Sequence, residues 1–165
     1  MVEGSAIMQY ICDKHGLDAW WPQGSGPEAV RTRARVSEYM SNHHTTTRLL
    51  TLNTFKPTMT SVMDPTFKFD ADAAFRSAQD AAATFDETWL TRGKYVAGGD
   101  APTIADLLAY TELAQVEQLG YPAYSGLPRL QHWLDNLRAL PHHDDVHASL
   151  FKLAAIRQKM LAKKA

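Results

Sequence analysis

Residues 94–113 read KYVAGGDAPTIADLLAYTEL, a glycine-broken stretch that passes into an apolar run, with Thr103 and Asp106 three positions apart at the junction. At that spacing the Thr103 side chain can accept from the amide of Asp106 while the Asp106 carboxylate accepts from the amide of Thr103. Two of the donors that a helix leaves orphaned at its start are then satisfied. The pair predicts a helix from Thr103 to Leu119, closed by Gly120 and followed by Pro122. Loss of such a cap costs about 1 kcal/mol, and more where the helix end is buried. On its own, a Thr-x-x-Asp pair marks no more than a helix start.

Working outward, Phe75, Ala78, Ala82, Phe85 and Trp89 advance by three, four, three and four. That is one stripe down a helix beginning after Asp70 and predicted to end at Gly93. Pro128 opens another helix with Leu130, Trp133, Leu134 and Leu137 on its inner face, and Pro141 stops it. A last helix runs from Asp144 to about Lys163 and ends in lysines, which suit a helix carboxy terminus. Toward the start, Ala6, Ile7, Tyr10 and Ile11 fall at helical spacing, so a helix opens the chain as far as Lys14. His15 to Gly26, with Gly16, Pro22, Gly24 and Gly26 around Trp20 and Trp21, reads as a linker pinned by its indoles. Pro27 then starts a helix, with Glu28 against its positive end, expected to run past Leu50. Arg31, Arg33 and Arg35 supply its charged face and Val30, Ala34, Tyr39 and Met40 its apolar one. Thr54 to Phe69 holds Pro57 and Pro65 among Met59, Met63, Phe67 and Phe69, and reads as an apolar loop. No alternation of period two is sustained beyond short pieces such as Tyr95 and Val96. The expected fold is all-α, a bundle of about six helices.

A chain of 165 residues makes one domain that buries roughly 70% of its unfolded surface without staples. Its 17 basic and 18 acidic side chains nearly cancel, which argues against nucleic acid or an anionic membrane as a partner. Cys12 is the single cysteine, so no internal disulfide can form; a reducing compartment fits, with the thiol packed as a small hydrophobe. No apolar run reaches membrane-span length and no signal core opens the chain. The expected location is cytoplasmic.

The surroundings of the Thr103 cap carry more than the cap itself. An aromatic-Val-Ala-Gly segment followed by Thr-Ile-Ala-Asp and an apolar helix resembles the folding motif of the glutathione transferase helical domain. Three further segments resemble the theta class in order and spacing: SEYMSNHHTTTR (37–48), GLPRLQHWLDNLRAL (126–140) and HHDDVHASLFKL (142–153). The opening EGSAIMQYI (3–11) resembles the Glu-Ser-x-Ala-Ile segment that ends the thioredoxin-like amino-terminal domain of these enzymes. The resemblance implies a remnant last helix of that domain over 1–15, a linker over 16–26 and the carboxy-terminal helical domain over 27–165, with the thioredoxin-like domain largely absent. It also implies conjugation of glutathione to small electrophiles, with glutathione as co-substrate, no cofactor or metal, and a homodimer.

In that family the group that stabilises the glutathione thiolate belongs to the thioredoxin-like half. The resemblance therefore places no catalytic residue here, and a truncated form is expected to be inactive alone. To glutathione it assigns Glu3, Gly4, Ser5, Thr45 and Arg48. Gly4 stands where the motif has serine, so the hydroxyl must come from Ser5 or be lost; Gly4 also reads as a plain helix opening. Arg48 would pair with the carboxylates of glutathione or with a sulfur-bearing anion, unless it is a solvated helix arginine. His44 and Thr45 would line the same cleft, with His43 facing away. His44, Met59, Met63 and Phe67 are assigned to the electrophile pocket, where flexible thioethers suit varied apolar substrates, unless the loop merely packs on its own domain. His142, His143, Asp144, Asp145 and His147 are the nearest thing to a metal cluster, but acids at a helix start have a sufficient explanation in the helix dipole. Two other readings stay open. One is a non-enzymatic dimerisation or scaffold module derived from a glutathione transferase; the other is a native protein longer at its amino end.

Overall fold

Helix-forming spacing and Pro or Gly punctuation translate into seven α-helices and one π-helical turn in the computed structural model, which describes residues 1–64, 66–121 and 124–162. The expectations on Pro65, Pro122 and Lys163 lie outside the described residues. The helices are α1 (Gly4–His15), α2 (Pro27–His43), α3 (Lys56–Met63), α4 (Ala71–Trp89), α5 (Ile104–Gln118), α6 (Pro128–Arg138) and α7 (His143–Ala162), with the π-turn at Thr51–Phe55. Among the described residues there is no strand.

Helix α5 is the centre. It buries residues on every side, from Ile104 and Ala105 through Ala109 and Leu113 to Val116, and packs against α1, α2, the π-turn, α6 and α7. A helix apolar all round must be enclosed by others. From α4 the stripe Ala78, Ala82, Phe85 and Trp89 is buried, and α6 contributes Leu130, Trp133, Leu134 and Leu137. Helix α7 lies at the edge, with Ala154 its one buried residue among those described. Cys12 is buried, and burial pushes its thiol up, with Asp13 adding to the effect.

The cap at the head of α5 ties this centre together. Asp106 is fully buried. One carboxylate oxygen accepts from the Val96 amide at 2.9 Å and the Trp133 indole N–H at 2.8 Å. The other accepts from the Thr103 amide at 2.8 Å and its hydroxyl at 3.1 Å. The reciprocal contacts of a capping box are present, but the short ones are on the carboxylate side, and the Asp106 amide also reaches the Thr103 carbonyl at 3.0 Å. Burial pushes the Asp106 carboxyl up while these four donors pull it back. The linker joins the same hub where the Ile104 amide donates to the Trp20 carbonyl at 3.1 Å.

Three elements depart from the sequence reading. The helix from Pro27 ends at His43 instead of running past Leu50. The hydroxyls of Thr45 and Thr46 donate back to the Asn42 carbonyl at 3.1 and 2.9 Å, competing with the helical ladder. The Arg48 amide then reaches five residues back to the His43 carbonyl at 3.0 Å, widening the turn. On α2 the buried face is Val36, Tyr39, Met40 and His43, whereas Val30 and Ala34 are exposed.

The expected loop over 54–69 is helical as far as Met63, which raises the count of α-helices to seven. Pro57 falls in the first turn of α3, where its missing N–H leaves nothing unpaired. Helix α4 stops at Trp89, short of Gly93. Gly93 instead serves a close backbone crossing, since a Cβ there would lie 2.6 Å from the Gly98 carbonyl oxygen.

Candidate functional site

A carboxylate in the middle of the apolar helix α5 organises the most polar part of the interior. The Glu112 side chain is 4% exposed and accepts from Arg48 Nη1 at 2.7 Å and from the Thr51 hydroxyl. The wide turn after α2 and the π-turn place both donors on it. On its other side, His43 Nε2 stands 3.7 Å from the same carboxylate, and the Tyr39 hydroxyl meets His43 Nδ1 at 3.1 Å. Burial holds His43 down to about 4, with His44 and Arg48 adding to the effect, so the ring is neutral at pH 7. Burial likewise pushes the Tyr39 phenol up.

The row continues outward. The His43 and His44 rings meet edge to face with centroids 5.5 Å apart, and His44 Nε2 lies 3.6 Å from the Glu3 carboxylate. Glu3, Ser5 and His44 share a cavity of about 520 Å³ between α1 and α2 with Gln9, Ser37 and Met40. Gly4 opens α1 beside it with nothing near the position of a Cβ. Glu3, His44, His43, Glu112 and Arg48 thus form a continuous polar line from the first helix to the π-turn.

Arg48 is 43% exposed and is engaged through one guanidinium nitrogen among the described residues. Its remaining donors are available to an anion. A guanidinium fixed on one side by a buried carboxylate and open on the other is suited to bind a carboxylate, sulfonate or similar oxyanion in a defined orientation.

Other expected site residues are placed apart. Thr45 lines a different cavity, of about 490 Å³, between the turn after α2 and the α4 residues Arg76, Asp80 and Trp89. Phe67 lines a third, of about 410 Å³, with Leu52, Pro57 and Phe69. Met59 is half-buried on α3, and Met63 is 74% exposed. The three expected electrophile-pocket residues on this segment do not line one shared cavity here, and His44 groups with Glu3 and Ser5. His43, expected to face away, is buried inside the polar row. Sequence reading missed Glu112 and Thr51. The available signal was a lone acid inside LLAYTELAQV, a position where a charge needs a partner. Among the described residues no three His, Cys, Asp or Glu side chains converge to hold a metal, and no helix is long and apolar enough to cross a membrane.

The family model "Glutathione S-transferase, C-terminal domain" matches residues 48–141, more than half of the chain. The chain belongs to that family. Rat glutathione S-transferase theta-1 is 29% identical over 98% of this chain and 70% of its own length. Human glutathione S-transferase theta-2 is 31% identical over 84% of this chain and 56% of its own. A crystal structure of human glutathione transferase theta-2, in complex with glutathione and an unknown ligand, superposes with a TM-score of 0.79 at 27% identity, covering 96% of this chain and 65% of that one. The chain therefore spans a little over half to about 70% of the length of these relatives.

Proposed function

We propose that this chain serves theta-type conjugation of glutathione to small electrophiles and supplies the helical half of the site. The observation that carries the reading is the Arg48–Glu112 pair: a half-exposed guanidinium held at 2.7 Å by a buried carboxylate, continuous through His43 and His44 with Glu3. In this reading Arg48 takes the anionic end of glutathione or a sulfur-bearing leaving group, and Glu3 with Ser5 holds the γ-glutamyl end. The reaction forms a sulfur–carbon bond by thiolate attack and breaks the bond from that carbon to its leaving group. The thiolate needs a donor that lowers its pKa, and no residue here matches the family's donor. The 165 residues alone accordingly do not turn over, and the reading includes a homodimer in a cytoplasmic setting.

The test compares the purified chain with the same chain joined behind a theta-class thioredoxin-like half. Calorimetry with glutathione and turnover of a halogenated substrate are expected to be negative for the chain alone and positive for the joined protein. A folded joined protein without turnover would refute the reading and favour a binding or scaffold role.

A further inference from the structure

On the far side of α5 from Arg48 there is a fourth cavity, of about 310 Å³. Tyr110 lines it and Glu112 faces the polar row; two residues apart on a helix, they point about 200° from one another. Its walls are Trp20 of the linker, Leu107 of α5, Leu137 and Leu140 at the end of α6, and Val146 of α7. Polar groups enter from Tyr110, the Trp20 indole and the histidines around the head of α7.

The hydrogen bonds fix what those groups can still do. His143 Nδ1 lies 2.8 Å from an Asp144 carboxylate oxygen, which only accepts, so this nitrogen carries the proton. On the neutral ring, His143 Nε2 then accepts from the Tyr110 hydroxyl at 2.7 Å, which occupies both His143 nitrogens and the one Tyr110 donor. His147 Nδ1 lies 2.8 Å from the His143 carbonyl oxygen and must likewise donate. Its Nε2 is left as a lone-pair acceptor with no hydrogen-bond partner among the described residues. The His147 ring is held in place by stacking on His143 at 4.4 Å and 20° and by an edge contact with Tyr110 at 5.3 Å. The cavity therefore offers apolar walls, aromatic faces and, in His147 Nε2, an acceptor held in place by its ring contacts, with no free donor from Tyr110 or His143.

We infer that this cavity between the linker, α5 and the α6–α7 corner is a binding site for an uncharged bicyclic aromatic compound carrying a single O–H or N–H donor, a naphthol or indole in chemical class. The volume sets the size, because a cavity of about 150 Å³ takes benzene and this one is about twice that. The donor is set by His147 Nε2. Charge is disfavoured because neither acid beside it turns inward: the Asp144 and Asp145 side chains are 90% and 84% exposed. The occupant is separate from any substrate in the Arg48 site.

The test is calorimetric titration of the 165-residue chain with 2-naphthol and with 2-methoxynaphthalene, which has the rings without the donor. The expected result is a binding site that prefers 2-naphthol by about fivefold, the worth of one neutral hydrogen bond. His147→Phe keeps the stacked ring and removes the acceptor, and should make the two compounds bind alike. Val146→Trp, placed from a 74% exposed position, and Leu107→Trp, placed from the wall, should each weaken both compounds by at least about tenfold through filling the cavity. If one tryptophan variant fails to fold by circular dichroism, the other decides. Arg48→Ala should leave 2-naphthol binding unchanged. No binding at saturating 2-naphthol, retention of the preference in His147→Phe, insensitivity to a folded tryptophan variant, or loss of binding in Arg48→Ala would each overturn the assignment.

Discussion

Replacing Asp106 by alanine should nearly unfold the domain, and the structure gives the size of the effect. Three buried N–H donors converge on this carboxylate: the Val96 amide, the Thr103 amide and the Trp133 indole, all at 2.8 to 2.9 Å. A buried donor left without a partner costs about 1–3 kcal/mol, so three cost roughly 3–9 kcal/mol. That is comparable with the whole stability of an ordinary domain, about 5–15 kcal/mol. Asparagine is the graded control. Its oxygen can keep the Val96 and Trp133 donors while its amide faces Thr103, whose hydroxyl can rotate to accept; one orphaned amide then costs about 1–3 kcal/mol. Trp133→Phe removes a donor without orphaning the acceptor and should cost less than Asp106→Ala. Urea unfolding followed by far-UV circular dichroism gives the order. Asp106→Ala within about 1 kcal/mol of the parent, or no milder than Asp106→Asn, would refute the view that this carboxylate pins the bundle.

Three further outcomes follow from the same physics. Because His43 sits at about 4 in the fold against 6.5 when unfolded, the unfolded chain binds the extra proton first; stability should be flat above pH 6.5 and fall between 6.5 and 4 by at most about 3 kcal/mol, read as urea midpoints across that range and flattened by His43→Gln. Arg48→Ala removes a positive charge that holds His43 down and leaves Glu112 without its cation, so the His43 titration followed by NMR should move upward. The same change should cost about 1–3 kcal/mol, less than for a fully buried pair because Arg48 is half-exposed. Cys12, buried and with its thiol pushed up, should be alkylated at pH 8 at least about tenfold more slowly in the native protein than in urea.

The parts of this fold that local chemistry dictates were legible in the residues. The 3-4-3-4 stripe of α4, the proline that opens α6 and the Thr103–Asp106 spacing each act within a few residues, so their signal is contiguous. The turn after α2 was not legible, because three threonines in a row are compatible with a helix until two of their hydroxyls are seen bonding to Asn42. Helix α3 was hidden by Pro57, which reads as a breaker unless the helix start is known. The site divides in the same way. Arg48 and Glu3 stood out through resemblance, but Glu112 is 64 residues from Arg48 and acquires meaning only when α5 is laid against the π-turn. Thr45 was assigned to glutathione, and Met59, Met63 and Phe67 to an electrophile pocket, through resemblance alone, and the turn and the α3 segment set them at different places.

The most direct measurement is the kcat/KM for glutathione of the joined protein, compared with its Arg48→Ala and Arg48→Lys forms. A guanidinium gripping an oxyanion while fixed by Glu112 predicts a loss of at least about tenfold in alanine, with lysine recovering only part of it. Equal kcat/KM in all three folded proteins would contradict the account.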